Sequence, residues 1–189
     1  MQMNIITLTL PSLGTNCYIV GDDKVAAVID PASDAEKIKT TADENGPEIK
    51  AILLTHGHFD HIGALDDLVS LTGARVYIHA LDAPMLSDGY LNASRIFYGK
   101  DTVQNCAVKA VADCDIIKIG DLDFKVIHTP GHTAGSVCYL CGDAMFTGDT
   151  VFESGFGRTD LPTGNGADLM RSIKKLKDNF EVNHIYPGH

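Results

Sequence analysis

Residues 52–63 read "ILLTHGHFDHIG", which sets His56, His58, Asp60 and His61 within six positions. Imidazoles and carboxylates crowded so closely desolvate badly unless a cation takes their lone pairs. The run leading into them, "IKAILLT" (49–55), is nearly all apolar, the mark of a strand buried on both faces. Extended backbone has a period of two, so His56 and His58 project the same way as that strand ends, with Gly57 keeping the turn open between them. Asp60 and His61 fall at the start of the next helix, from which they can fold back toward the same point. The segment reads as part of a metal site, and one such segment cannot close a site alone.

Working outward, three more candidates follow short β runs. "HTPGHTAGS" (128–136) offers His132, "MFTGDT" (145–150) offers Asp149, and "IYPGH" (185–189) offers His189. One sheet edge can carry all three, and loops at strand ends are where α/β sheets place their chemistry.

The rest of the chain alternates strand and helix signals. "MQMNIITLTL" (1–10), "NCYIVG" (16–21), "KVAAVIDP" (24–31) and "ARVYIHA" (74–80) are short, rich in apolar residues and punctuated by turn formers. Residues 33–45 read as a helix capped by Ser33 or Asp34, and residues 61–73 as a second that ends at Gly73. Residues 80–113 have no strong period and read as short helices and loops. β character returns in "DIIKIGDLDFKVIHT" (115–129) and in "SVCYLCGDAMFTGD" (136–149), where Gly142–Asp143 marks a hairpin, and again in "HIYP" (184–187). Residues 167–178 form an amphipathic helix with Leu169, Ile173 and Leu176 on one face. No repeat, linker or low-complexity stretch divides the chain, so a single domain over residues 1–189 is expected.

Composition narrows the function classes. A formal net charge of −10 over 189 residues argues against a nucleic-acid partner. No segment nears the roughly 18 apolar residues of a membrane span. The first residues lack a basic leader and a cleavage site, and five cysteines form no even framework. A cytoplasmic protein with no membrane or nucleic-acid partner is the expectation. Cys138 and Cys141 lie three apart in one expected strand, which puts them on opposite faces as core residues rather than as a redox pair.

The set His56-x-His58-x-Asp60-His61, with His132, Asp149 and His189, resembles the metallo-β-lactamase superfamily, and most closely its glyoxalase II-like hydrolases. The likeness runs from "NCYIVGDDKVAAVIDP" (16–31) to the last residue. It implies a four-layer αβ/βα sandwich, two mixed sheets face to face with helices on the outer faces. Carried over, His56, His58 and His132 would hold one divalent ion, Asp60, His61 and His189 a second, and Asp149 would bridge them. Asp30 matches an aspartate that orients the ligand loop. Zinc is the expected metal, with iron or manganese as competitors. The resemblance implies attack by a metal-bound hydroxide, steered by the catalytic Asp60, on a small thioester such as a hydroxyacylglutathione. Arg158 stands nine positions after Asp149, where glyoxalase II carries a basic residue that meets glutathione; Asp160 replaces that family's tyrosine. His58 departs from the carboxylate of the flavodiiron branch, and Asp149 from the cysteine of zinc β-lactamases that use a cysteine ligand. An iron-dependent persulfide dioxygenase and a lactone or ester hydrolase are the alternatives on this scaffold. A non-catalytic metal-binding domain is the rival from another class, and it would need a closed site. Oligomeric state is left open.

Overall fold

The computed structural model describes residues 3–180 and 184–189. It begins with an antiparallel meander of β1 (Asn4–Thr9), β2 (Asn16–Gly21) and β3 (Val25–Ile29). Met1 and Gln2, read from sequence as part of the first strand, lie outside the described residues. α1 (Ala35–Asn45) is opened by Asp34, whose carboxylate accepts the Lys37 N–H at 3.1 Å, and it stops at Gly46. β4 (Glu48–Leu53) then runs parallel to β3 and delivers the chain to Thr55.

The single helix expected over residues 61–73 is two. α2 (Phe59–Ile62) ends after one turn, and α3 (Leu65–Thr72) starts afresh and stops at Gly73 as expected. The break occurs because the Ala64 N–H leaves the helical ladder to bond the Pro31 carbonyl at 2.9 Å. β5 (Arg75–His79) follows, then a 3₁₀ turn at Ala83–Ser87 and the short α4 (Ser94–Tyr98). β6 (Val108–Val111) corrects the expectation of helices and loops alone for residues 80–113. It pairs parallel with β5 as the edge of the sheet. The first sheet therefore has the order β1-β2-β3-β4-β5-β6, antiparallel at one end and parallel at the other.

The second sheet collects β7 (Ile116–Ile119), β8 (Leu122–His128), β9 (Val137–Cys141), β10 (Ala144–Gly148) and β11 (His184–Pro187) in the order β11-β10-β9-β8-β7. The expected hairpin is present: Cys141 pairs with Ala144 across Gly142–Asp143. β11 lies parallel to β10, so this sheet is mixed too. Between them, residues 166–179 form α5 (Gly166–Asn179), capped by the Asn165 side chain on the N–H groups of Ala167 and Asp168.

Strand alternation assigns the layers. Tyr18, Ile29, Leu53 and Tyr77 of the first sheet interdigitate with Phe124, Tyr139 and Phe146 of the second. The alternate residues Val28, Ile52 and Ile78 face outward under Ile38 of α1 and Leu65 and Leu68 of α3. On the far side, Leu176 of α5 and Phe180 cover Ile127, Cys138 and Met145. The result is helix, sheet, sheet, helix, the αβ/βα sandwich. Cys138 faces α5 and Cys141 faces the inter-sheet core, on opposite faces of β9. No helix among the described residues is long and apolar enough to cross a membrane.

Candidate metal centre

The strands end at a shared rim, and five of those ends carry the site. β4 leads to His56 and His58, with Asp60 and His61 following in α2. β8, β10 and β11 run the same way in the second sheet, and beyond their ends stand His132, Asp149 and His189. β3 ends at Asp30, which adopts a left-handed φ of 51°. Two bonds sew the sheets together beneath the rim: the Val137 N–H donates to the Thr55 carbonyl at 2.8 Å, and the Tyr139 hydroxyl to the Leu54 carbonyl at 2.9 Å.

All seven sequence-predicted ligands converge. His56, His58 and His132 form one group, and Asp60, His61 and His189 form another, each with its donor atoms within 4.8 Å of one another. Asp149 stands between them. Its Oδ1 is 3.4 Å from His61 Nε2, and its Oδ2 is 3.5 Å from His132 Nε2 and 3.7 Å from His189 Nε2. Asp60 Oδ2 is 3.3 Å from His189 Nε2 and accepts the Thr15 hydroxyl at 3.3 Å. His189 reaches the group through Gly188, where a Cβ would come within 2.2 Å of Asp149 Oδ1, so only glycine fits there. Asp30, the predicted orienting residue, lies directly behind this cluster.

Hydrogen bonds set which nitrogen of each ring is free. Asp30 accepts the Thr55 N–H at 2.8 Å, the Thr55 hydroxyl at 2.6 Å and His61 Nδ1–H at 3.0 Å. Because the Thr55 hydroxyl is spent on Asp30, its oxygen accepts from His56 Nδ1 at 3.1 Å. His132 Nδ1–H donates to the Arg158 carbonyl at 2.7 Å. In each case Nδ1 is tied to the surrounding protein, so Nε2 is the nitrogen turned toward the centre. His58 Nδ1 lies 2.9 Å from His132 Nε2.

Four of the ring nitrogens and carboxylate oxygens gathered here lack a partner within the protein. The Nε2 atoms of His56, His58 and His61 and Oδ1 of Asp149 are buried without a hydrogen-bond partner. Buried polar atoms are otherwise almost always satisfied, so a set of four at one point fits a cation-binding centre. Electrostatics keep the three-histidine group in its lone-pair form and favour a second proton on His61. Burial holds the His56 imidazole well below its usual range and lowers His58 to about 3, and burial depresses His132 as well. Burial also opposes charge on His61, yet the carboxylates of Asp60, Asp149 and Asp30 hold it well above the ordinary value. The Asp60 and Asp149 carboxyls sit below their usual range against the effect of burial, chiefly because of His61.

A cavity of about 290 Å³ opens above the ligands, walled by Leu13, Phe59, Phe97, Phe152 and Leu161, with Arg158 at its edge. The Arg158 side chain makes a two-pronged pair with Asp160, at 2.7 and 2.8 Å, and its guanidinium lies 5.8 Å from the centre of the Phe97 ring. A larger groove of about 490 Å³ between α1 and α3 contains none of the metal-capable groups found among the described residues. Sequence reasoning missed the apolar walls. Phe59 sits inside the decisive motif, but Phe97 of α4 and Leu13 and Phe152 of distant loops are brought in by the fold and leave no local signal.

A profile described as metallo-beta-lactamase superfamily matches residues 10–189. The probable metallo-hydrolase YqgX of Bacillus subtilis is 37% identical over 177 residues, 92% of this chain and 84% of its own. Among solved structures, BLEG-1, named a B3 metallo-beta-lactamase, superposes with a TM-score of 0.92 at 35% identity, covering 98% of this chain and 91% of that one. TTHA1623 in a di-iron-bound form superposes with a TM-score of 0.86 at 34% identity, covering 97% and 91%. With its sandwich, its rim of convergent ligands and these likenesses in agreement, the chain belongs to the metallo-β-lactamase superfamily.

Proposed function

We propose that this protein is a two-metal hydrolase acting on a small thioester, for which a hydroxyacylglutathione is the reference substrate. The observation that carries the reading is the convergence of seven candidate ligands, five of which (His58, Asp60, His132, Asp149 and His189) line an open, apolar-walled cavity. His56, His58 and His132 would hold one divalent ion, Asp60, His61 and His189 the other, and Asp149 would reach both. Such ions polarise a carbonyl and lower the pKa of water from 15.7 to about 7; zinc suits this imidazole–carboxylate set, and the di-iron form of TTHA1623 supports iron as the competitor.

The protein's own groups do the rest. Asp60 accepts a hydrogen bond from the attacking water and so orients it, its carboxylate held in place by His189. Asp30 keeps the His61 and His56 rings turned so that their Nε2 atoms face the centre. Phe59, Phe97 and Phe152 pack the acyl group and keep bulk water from it. No serine, threonine or cysteine lines this cavity among the described residues, which supports water as the nucleophile. A thiolate, from a thiol of pKa about 8.5, departs without needing a proton. That suits a cavity whose titratable lining groups, among the described residues, are candidate ligands and Arg158. A net charge of −10 supports a small-molecule substrate over nucleic acid.

The test is a panel assay on metal-loaded protein. Thiol release from S-lactoylglutathione and simpler acyl thioesters is expected, abolished by chelation and restored by zinc or iron. The likeness to BLEG-1 favours a second reading, opening of a β-lactam amide. Turnover of a chromogenic cephalosporin with no thioester cleavage would select it. Oxygen uptake with glutathione persulfide, again without thioester cleavage, would select a dioxygenase.

A further inference from the structure

Asp82 lies at the start of the 3₁₀ turn after β5, fully buried and assigned to no part of the centre described above. Its carboxylate nevertheless touches both loops that supply the three-histidine group. Asp82 Oδ2 accepts the N–H of Gly57, the residue between His56 and His58, at 3.1 Å. The same oxygen accepts the hydroxyl of Thr133, next to His132, at 2.6 Å, and Oδ1 accepts the Gly135 N–H at 2.7 Å. The partners come from opposite sheets, 25 and 53 residues away in sequence.

The packing is cut to this contact. A Cβ on Gly135 would come within 2.5 Å of Asp82 Oδ1, and one on Gly57 within 2.6 Å of the Met85 Cβ and 3.1 Å of the Asp82 carbonyl. Thr133 is held in turn by Ser136, whose hydroxyl accepts the Thr133 N–H at 3.0 Å and lies 2.6 Å from its Oγ1. Asp82 is anchored through its own backbone, with its N–H on the His79 carbonyl at 3.0 Å and its carbonyl accepting from Met85 at 2.9 Å.

Such a clamp answers a specific difficulty. His58 Nδ1 and His132 Nε2 face each other at 2.9 Å, and when both present lone pairs to an ion nothing between the rings themselves draws them together. The loops that bear them must be held from outside. Asp30 does not do this for His132, since its bonds go to Thr55 and His61. We infer that Asp82 is a positioning residue that fixes the His132 loop against the His56–His58 loop and so sets the geometry of the three-histidine position. This rests on reading the histidine group as a metal site. It predicts an asymmetry: loss of Asp82 loosens that position and leaves the Asp60, His61 and His189 position intact.

Cobalt(II) titration of the full-length, metal-free protein against a competing chelator tests the inference, with the visible cobalt bands reporting coordination. Two backgrounds separate the positions: His61→Ala leaves the three-histidine group, and His58→Ala leaves the other. Asp82→Asn keeps the size but turns an NH₂ donor toward groups that are themselves donors. In the His61→Ala background it is expected to weaken cobalt binding roughly tenfold to hundredfold and to shift the bands. In the His58→Ala background affinity should stay within about twofold. Thr133→Val removes one of the three contacts and should weaken the first background in the same direction by less. If Asp82→Asn does not fold, Thr133→Val decides between the outcomes. Unchanged affinity in the first background, or equal losses in both, would overturn the assignment. If the wild-type chain binds no cobalt, the metal site falls and this inference falls with it.

Discussion

Arg158 brings two unrelated groups to the edge of the centre. Its carbonyl accepts from His132 Nδ1 and so fixes that ring, a role any residue at this position would keep. Its guanidinium is occupied by Asp160, but both side chains are more than half exposed, at 52% and 68%. Exposed pairs of this kind contribute little to stability, so an anionic substrate group can displace Asp160 at little cost. If Arg158 anchors the carboxylate of a thiol carrier, Arg158→Ala should raise KM about tenfold or more for S-lactoylglutathione while changing kcat less, since the contact is remote from the reacting atoms. Asp160→Asn should lower that KM by freeing the guanidinium. A neutral thioester should respond to neither substitution. Because the backbone carbonyl survives in both variants, metal content should match wild type. Equal losses on charged and neutral substrates would make Arg158 a structural residue of the loop.

Elements show where sequence is informative and where it is not. The ligand residues are legible because each sits in a short, unusual string at a strand end, and the hairpin at Gly142–Asp143 because two apolar runs flank it. The break between α2 and α3 is only half legible: Gly63 hints at it, but the contact that interrupts the helix comes from Pro31, over thirty positions away in sequence. β6 escapes because four residues, half of them exposed, show no period and gain strand form only by pairing with β5. Asp82 escapes for a similar reason: its three partners meet only in the folded chain. α5 depends on a cap that the periodicity of its apolar face does not reveal. Asn165 Oδ1 accepts two orphan N–H groups there, the Asn165 N–H reaches the Gly131 carbonyl beside His132, and the Ser172 hydroxyl reaches the Pro130 carbonyl. Asn165→Ala should therefore cost about 1 kcal/mol, or a fall in Tm of about 2–4 °C for a chain of this size. Calorimetry checks it, and an unchanged Tm would mean that packing of Leu169 and Leu176 alone holds the helix.

At the scale of the whole molecule, the ligands form a seam. His56, His58, Asp60 and His61 belong to the first sheet's side, while His132, Asp149 and His189 follow strands of the second. Any ion shared between these sets joins the two halves of the sandwich at the rim. Without it, Nε2 of His56, His58 and His61 and Oδ1 of Asp149 stay buried and unpaired, and each such group weakens the folded state. An ion that binds only the folded chain stabilises it by about 4 kcal/mol when its free concentration is a thousandfold above its Kd. At about 2–4 °C per kcal/mol, that corresponds to a rise in Tm of roughly 8–16 °C for a single ion. Metal-free protein titrated with zinc should thus melt at progressively higher temperature as free zinc rises, and chelation should reverse the gain. Asp149→Asn removes one charge and the group that faces both ligand sets, so it should reduce the zinc-dependent gain more than His189→Ala, which removes a partly exposed ligand from one set. Scanning calorimetry at fixed protein and varied zinc separates this from a local effect. If loaded and chelated protein melt within a degree or two of each other, the centre does not hold the halves together, and cohesion must lie in the apolar layer between Leu53 and Phe146 and in the hydrogen bonds beneath the rim.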